Sequence, residues 1–417
     1  MKNRAIHWFL LLTGIGGIVG VGAIVYRLVE GMKVTWLTSN FPWGMWISYY
    51  IYFIGLSAGS FLFSTLIYVF GRRELEKAGR LALFSALFAL VAGLLFIWMD
   101  LGHPWRFLYV FTHWNYTSVL AWEILFYIGY IVVVLAELWY LMREDIALMR
   151  DKSHSAKRAS YGVLALGWKT PATDGARERS RQHTMRVATV LGAIGIPLAI
   201  GVHGGTGAVF AVVKARPYWY SAIFPIIFLT SALVSGAGLM TFLYAFLGDR
   251  EVSDHSNIVR SLAGWLILFL AIDIILVVAE FLVTWYGAIP ETTNVWNQVM
   301  FGPYWYVFWF GQIGLAMIVP VLIYLFKGNS PTWLGIGGLS VMVGIVSVRF
   351  NLVIPAFAVS PVPLLDKAFH DFRFDFRYFP SPTEWVTSLG LISVVAFCFL
   401  LFYRLLPMVK TSEEYSV

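Results

Sequence analysis

Long apolar runs separated by short polar stretches dominate the sequence. Each run is close to the roughly 20 residues that an α-helix needs to cross the hydrocarbon core of a bilayer. The pattern therefore predicts an all-α polytopic membrane protein with about ten transmembrane helices. The predicted spans cover residues 6–29, 44–70, 79–99, 118–142, 187–213, 218–247, 259–286, 303–326, 332–355 and 384–406.

The composition agrees with this fold class. Apolar residues make up 59% of the chain and charged residues only 13%, whereas soluble domains are about one quarter charged. The net charge of +7 does not indicate nucleic-acid binding, because the basic residues gather in one set of segments, as the positive-inside rule describes.

This basic set includes both ends of the chain, so both termini are predicted to be cytoplasmic. The first run is longer than a signal-peptide core and is interpreted as a retained helix. The basic residues on this side are Lys2, Arg4, Arg72, Arg73, Lys77, Arg80, Arg143, Arg150, Lys152, Lys157, Arg158, Lys169, Arg177, Arg179, Arg181, Arg186, Arg250, Arg260, Lys327, Arg404 and Lys410.

The opposite set of segments is rich in aromatic residues, proline and glycine. An aromatic belt at the membrane interface accounts for part of this enrichment, but not for its restriction to one side. Rigid, turn-rich loops are instead predicted to form a docking platform for an extracytoplasmic partner. These loops lie at 40–46, 100–123, 215–220, 301–306 and 356–383.

A weak internal repeat relates residues 55–71 to residues 231–248. An even number of spans in each unit makes it a parallel repeat. The chain is accordingly divided into a first four-helix bundle, a basic cytoplasmic loop, a second four-helix bundle and a C-terminal helix pair with a long outer loop. The predicted boundaries are 1–143, 144–186, 187–328 and 329–417.

The chain is not expected to hold a metal centre. Its single cysteine, Cys398, cannot form a cluster of thiolate ligands. His203 is the one histidine in the interior of a predicted span, whereas a bis-histidine haem needs two on facing helices. Any iron–sulfur cluster or haem that exchanges electrons with this protein should therefore belong to a partner.

Several ionisable residues fall inside the spans, where they are costly unless paired or functional. His203 is a candidate for proton exchange, since its reference pKa lies near 6.5. Asp273 and Glu280 are two helical turns apart and share a face, and Arg349 should pair with one of these acids. A structural hydrogen bond between helices is the alternative role for each of them.

Tyr50 and Glu123 lie at similar depths near the outer edge. Asp100 and His103 stand in the adjoining loop stretch. These four residues are candidates for lining a pocket that opens near the outer surface, or its proton exit.

Four stretches together resemble the NrfD/PsrC family, the quinone-reacting membrane subunits of polysulfide reductase-like and related respiratory complexes. The resemblance covers nearly the whole chain. The end of the chain is similar to the longer, ten-span branch of the family, which includes hydrogenase-2 membrane subunits and alternative complex III. The stretches are PWGMWISYYIYFIGLSAGSFL at 42–62, DLGHPWRFLYVFTHWNYTSVLAWE at 100–123, HGGTGAVFAVVKARPYWYSAIFPIIFLTSALVSGAGL at 203–239, and RFNLVIPAF with RYFPSPTEWVTSLG at 349–357 and 377–390.

The resemblance implies a menaquinone or ubiquinone site near the extracytoplasmic face of a prokaryotic inner membrane. An iron–sulfur ferredoxin-like subunit would dock there, with further catalytic or cytochrome subunits beyond it. Tyr50 occupies the position of a quinone-contacting histidine of short members, and Gly205 that of a tyrosine. Asn115 is followed by Tyr116, where short members have proline.

The resulting hypothesis is a membrane subunit that exchanges electrons and protons between a quinone and the partner. Proton exchange would involve His203 and Asp273. The quinone would be bound by His203, Tyr50, Asp100, His103 and Glu123. A proton path would consist of Asp273, Glu280 and Arg349. A secondary transporter or ion channel is the alternative from another class. A non-catalytic membrane anchor is the third possibility, although an anchor has no need of buried ionisable residues.

Overall fold

The computed structural model describes residues 2–171, 173–250, 253–360, 362, 364–368 and 371–408. Among these residues, ten helices are long and apolar enough to cross a membrane, which confirms the predicted all-α polytopic fold. They are α1 (Lys2–Glu30), α2 (Met45–Tyr68), α3 (Glu76–Asp100), α4 (Val119–Lys152), α5 (Asp174–Ala211), α6 (Phe224–Leu247), α7 (His255–Gly287), α8 (Val307–Lys327), α9 (Pro331–Ala358) and α10 (Pro382–Leu405).

Two helices extend well beyond the apolar runs that predicted them. Helix α4 continues to Lys152 and α5 begins at Asp174, whereas the predicted spans stop at 142 and start at 187. The charged residues glutamate, lysine and arginine have high helix propensities, as alanine and methionine do. Both helices therefore continue past their apolar runs with charged residues.

The helices pack as two rings of four. Ring 1 consists of α2–α5, in which α2 and α4 each pack on both α3 and α5. Ring 2 consists of α6–α9 and repeats this order of neighbours. Helix α2 joins the rings by packing on α6 and α9, and α10, which is paired with α1, packs on α3.

This packing groups the helices differently from the predicted division of the chain, which placed α1 in the first bundle and paired α9 with α10. Helix α1 instead pairs with α10 because two glycines let their backbones meet: a Cβ on Gly20 would lie 2.1 Å from the Cα of Gly390. Hydropathy cannot reveal such a pairing. That the segments 1–143, 144–186, 187–328 and 329–417 are separate units stays a prediction.

Gly59 and Gly236 bring α2 and α6 into backbone contact. A Cβ on Gly59 would lie 1.9 Å from the carbonyl oxygen of Ala232, and one on Gly236 would lie 2.2 Å from the carbonyl carbon of Gly59. Small residues permit this close approach between membrane helices. Both glycines belong to the two repeated segments, so the repeat forms the interface between the rings.

The connections between helices lie at two ends of the molecule. We call the end with the described residues of segments 31–44, 101–118, 212–223, 288–306 and 359–381 the aromatic end. We call the end with the described residues of segments 69–75, 153–173, 248–254 and 328–330 the basic end. Lys410 and the side chains of Lys2 and Arg4, which contributed to the predicted orientation, lie outside the described residues.

A buried carboxylate organises part of the aromatic end. Glu384 accepts hydrogen bonds from the backbone of Trp36 at 3.1 Å and of Ser381 at 2.9 Å, and from the hydroxyl of Tyr378. The same hydroxyl accepts from the backbone of Met45 at 3.0 Å. Burial raises the pKa of Tyr378, and the charge of Glu384 raises it further, so this tyrosine remains a donor.

Candidate functional site

Four polar side chains meet inside ring 1 near the aromatic end. Oxygen Oε1 of Glu123 accepts hydrogen bonds from the hydroxyls of Tyr50 at 3.0 Å, of Tyr127 at 2.9 Å, and of Thr206. The two tyrosine hydroxyls are 2.7 Å apart. All four residues are buried, and we call them the Glu123 cluster.

Depth along the helices explains why these residues meet. Tyr50 and Glu123 each lie in the second turn of α2 and α4, and Thr206 lies near the end of α5. The sequence placed Tyr50 and Glu123 at one depth but did not identify Tyr127 or Thr206. The spacing of four from Glu123 to Tyr127, which puts both on one helix face, is the signal that could have found Tyr127.

One oxygen of the Glu123 carboxylate is left over. Oε2 is buried and has no hydrogen-bond partner among the described residues. A Cβ on Gly205 would lie 3.4 Å from the Cγ of Glu123, so a tyrosine at this position would compete with Glu123 for space. The glycine therefore leaves room for the carboxylate.

His203 lies one turn from Thr206 on α5 and is fully buried. A Cβ on Gly55 would lie 3.3 Å from Nε2 of His203 and 3.4 Å from Nη2 of Arg349. The two basic groups therefore come from different rings and meet over one glycine of α2. The backbone of Phe228 is close to the imidazole, but neither ring nitrogen makes a hydrogen bond of good geometry within the described chain.

Ring 2 contains a cavity of about 60 Å³ that is lined by both apolar and polar side chains. Asp273, Glu280 and Arg349 all line it, so the predicted common face of the two acids is confirmed. A water molecule needs roughly 10–15 Å³ of such space, so the cavity has room for a few waters.

Arg349 and Asp273 interact through their charges, but no direct salt bridge joins Arg349 to Asp273 or Glu280 among the described residues. Nη2 of Arg349 donates to Ser231 at 2.9 Å, and the hydroxyl of Thr230 donates to Asp273 at 2.9 Å. Thr230 and Ser231 are consecutive on α6, which packs on both α7 and α9. The Ser231 hydroxyl therefore binds Arg349 and the Thr230 hydroxyl binds Asp273. The two charged groups both line the cavity but are not in direct contact.

Two amide side chains that sequence reasoning missed complete this cavity. Nδ2 of Asn351 donates to Oε1 of Gln312 at 2.9 Å, and both residues are buried. Gln312 lies in the π-helical part of α8, Val307–Ile318. Such segments are rare and often occur at functional sites. Polar amides inside apolar runs were the available signal.

Asp100 and His103 are not brought to the Glu123 cluster. Asp100, at the end of α3, interacts with the charges of Arg27 and Glu384, on the side of the α1–α10 pair. His103 is exposed in the loop that follows. Arg27 donates to the carbonyl of Leu101 at 2.6 Å, which ties α1 to this loop and gives the group around Asp100 a role in packing.

The donor groups of ring 1 fit a quinone better than a metal. A quinone carbonyl needs a hydrogen-bond donor in an apolar site, and a buried imidazole N–H, together with the O–H of Glu123 when that carboxyl group is protonated, can supply donors. Within the described residues, no group of three or more histidine, cysteine, aspartate or glutamate residues could hold a metal ion.

The fold and this interior define an integral membrane protein with buried ionisable side chains. The chain belongs to the NrfD family: it matches the family described as polysulphide reductase, NrfD, over residues 33–361. This confirms the family that the sequence motifs indicated.

Relatives of similar length support this membership. The chain is 44% identical over 407 residues to a selenate reductase subunit of Mesobacillus selenatarsenatis, covering 98% of this chain and 95% of that protein. It is 26% identical over 423 residues to the Hdr-like menaquinol oxidoreductase integral membrane subunit of Archaeoglobus fulgidus, covering 98% and 95%. It is 23% identical over 411 residues to the menaquinone reductase integral membrane subunit of Nitratidesulfovibrio vulgaris, covering 95% and 90%.

Proposed function

We propose that this chain is the quinone-reacting membrane subunit of a reductase complex. Two relatives carry menaquinol or menaquinone in their names, and the match to their full length supports a shared role. The observation that carries the proposal is His203. It is fully buried, and its ring nitrogens make no hydrogen bond of good geometry among the described residues, although the backbone of Phe228 is close. Such a histidine is costly in a membrane, and a ligand that accepts its proton would offset that cost.

The residues divide the work of proton exchange. A bound menaquinone or ubiquinone supplies a couple of two electrons and two protons. His203 holds or releases one proton at a ring nitrogen, and Glu123 exchanges a proton at Oε2. Tyr50, Tyr127 and Thr206 fix the orientation of Glu123 through Oε1. Pre-positioned groups of this kind typically contribute 10²–10⁴-fold to a rate.

Electrons would come from, or go to, an iron–sulfur ferredoxin-like partner at the aromatic end. A groove of about 1630 Å³ lies there between the segments 32–41 and 371–379. It carries charges of both signs, among them Lys33, Asp371 and Arg373. Such a mixed, concave surface suits a polar protein–protein contact. Further catalytic or cytochrome subunits would complete the complex and set its terminal substrate.

The cavity of ring 2 would serve as a proton path towards this site. Asp273 and Glu280 provide carboxyl groups beside space for water, and Arg349 reaches from that cavity to the position over Gly55 where His203 also lies. Chains of acids and histidine are the usual proton relays in membranes. Orientation with both termini in the cytoplasm of a prokaryotic inner membrane is part of this proposal.

Replacing His203 tests the proposal. We expect His203→Gln to weaken binding of a fluorescent quinone analogue and to lower quinone turnover by about tenfold or more, since the amide cannot exchange a proton. Binding is measured by titration of the purified complex, and turnover with the partner reduced by a viologen dye.

His183→Gln is the matched control, because His183 is exposed at the basic end of the same helix. A membrane anchor or a transporter requires no quinone at His203. Wild-type binding and turnover in an assembled His203→Gln complex would therefore rule out the proposed function.

A further inference from the structure

A second carboxylate lies buried deeper in ring 1. Glu137 of α4 is 0% exposed, and neither of its oxygens makes a hydrogen bond of good geometry among the described residues. The hydroxyl of Ser64 lies close to it but donates to the carbonyl of Phe61 at 2.8 Å. On the α5 side, a Cβ on Gly192 would lie 4.0 Å from Oε1. A carboxyl group with so little hydrogen bonding is costly inside a membrane.

Glu137 is the last member of a polar stripe on α4. Tyr127, Tyr130 and Glu137 follow Glu123 at intervals of four, three and seven residues, which keep all four on one helix face. At 1.5 Å per residue the stripe is about 21 Å long, most of the roughly 30 Å apolar thickness of a bilayer. The half-buried Glu144 continues the face after another seven residues, near the basic end.

A matching stripe on α2 faces it. Tyr50, Ser57, Ser60 and Ser64 are spaced by seven, three and four residues on one face of that helix. Helices α2 and α4 are diagonal in ring 1, so these side chains meet across its interior. Oγ of Ser57 lies 3.1 Å from the hydroxyl of Tyr130, as Tyr50 meets Glu123 further up.

Ser60 adds to the incomplete hydrogen bonding of this interior. Its hydroxyl is fully buried and has no partner in the described chain. In sequence it lies between Ser57, which contacts Tyr130, and Ser64, which lies beside Glu137. Buried polar groups without a protein partner, such as Ser60, are the groups that an internal water satisfies.

We propose that Glu137 is a proton-carrying residue that connects the basic end with the Glu123 cluster. A proton leaves the Glu137 carboxyl group, passes through water beside Ser60 and the hydroxyls of Ser57 and Tyr130, and reaches Glu123. Glu137 regains a proton from water at the basic end. The inference rests on the proposed function, in which the partner supplies the electrons and a quinone takes up two protons for every two electrons.

The first test separates proton delivery from quinone binding. We expect Glu137→Gln to lower quinone turnover of the purified complex by about tenfold, while binding of the quinone analogue stays within about twofold of wild type. Glu178→Gln, at an exposed acid of α5, should leave both unchanged. Wild-type turnover in Glu137→Gln would overturn the inference. Wild-type quinone binding and turnover in His203→Gln would overturn the proposed function instead.

A second readout does not depend on turnover. Reduction of the quinone should produce a carboxyl band in the infrared difference spectrum of the complex, and Glu137→Gln should remove it. A spectrum that is identical in the variant would overturn the inference. If Glu137→Gln does not assemble, quinone turnover is measured in Ser60→Ala, which removes only the hydroxyl proposed to hold the bridging water. Unchanged turnover in Ser60→Ala would then overturn the inference.

Discussion

At the residue scale, the buried carboxylates occupy different environments. Glu123 receives three hydroxyl donors on one oxygen, so its position is fixed. Asp273 receives one, from Thr230, and borders a cavity with room for water. Glu137 makes no hydrogen bond of good geometry among the described residues, although the hydroxyl of Ser64 lies close to it. The first arrangement suits the binding of a ligand, and the other two suit the passage of protons.

Asp273→Asn tests the role of the ring 2 cavity. The amide keeps the shape of the side chain and can still accept from Thr230, so assembly should be intact. Without an ionisable group we expect coupled quinone turnover or proton uptake to fall by about tenfold, measured with the complex in vesicles containing a pH-sensitive dye. Asp174→Asn, at an exposed position, is the control, and unchanged coupled activity would contradict the path.

Which residues meet was only partly predictable. Depth can be counted along each apolar run, so Tyr50 and Glu123 were placed together correctly. The direction in which a side chain points around its helix axis depends on packing, which the sequence does not show. Asp100 and His103 were therefore grouped with Tyr50 and Glu123, but their contacts lie elsewhere. Glu137 was missed because it lies near the charged end of its predicted span, where an acid resembles an ordinary helix terminus.

At the element scale, hydropathy identified the ten spans but not their lengths or contacts. The charged extensions of α4 and α5 and the π-helical start of α8 have no apolar signature. The repeated segments 55–71 and 231–248 were recognisable in the sequence. That they pack against each other through Gly59 and Gly236 required the structure, because small residues serve many kinds of packing.

Gly59→Ala tests this interface. The added methyl group would meet the carbonyl oxygen of Ala232, so α2 and α6 must move apart at a cost of roughly 1–3 kcal/mol. We expect a lower temperature of unfolding in detergent, measured by tryptophan fluorescence. Gly22→Ala is the control, since nothing lies within 4 Å of that Cβ, and it should be neutral or stabilising. Equal stability of the two variants would contradict the described contact.

At the scale of the whole molecule, two similar rings perform different tasks in the proposed function. Ring 1 carries the Glu123 cluster and the polar stripes, and ring 2 carries the cavity with room for a few waters. His203 and Arg349 meet over Gly55, where the rings join. Family membership and span number could be predicted from the sequence, whereas the pairing of α1 with α10 depends on contacts between residues that are far apart in it.

Accessibility to a reagent that cannot cross membranes tests the orientation. Tyr116 at the aromatic end and Val163 at the basic end are 77% and 73% exposed. In a Cys398→Ala background, we expect Tyr116→Cys to react with an impermeant maleimide in spheroplasts and Val163→Cys to react only after lysis. The reverse pattern would show that the termini are not cytoplasmic.

The pairing of α1 with α10 has a consequence for how the protein is made. Of these ten helices, α1 leaves the ribosome first and α10 last, so α1 waits in the bilayer with its Gly20 surface uncovered during synthesis of the others. Glu384 of α10 then binds the backbone at Trp36, in the connection between α1 and α2. The aromatic end therefore acquires its final shape only when the tenth helix is inserted, and a partner subunit that recognises this shape would bind full-length chains in preference to unfinished ones.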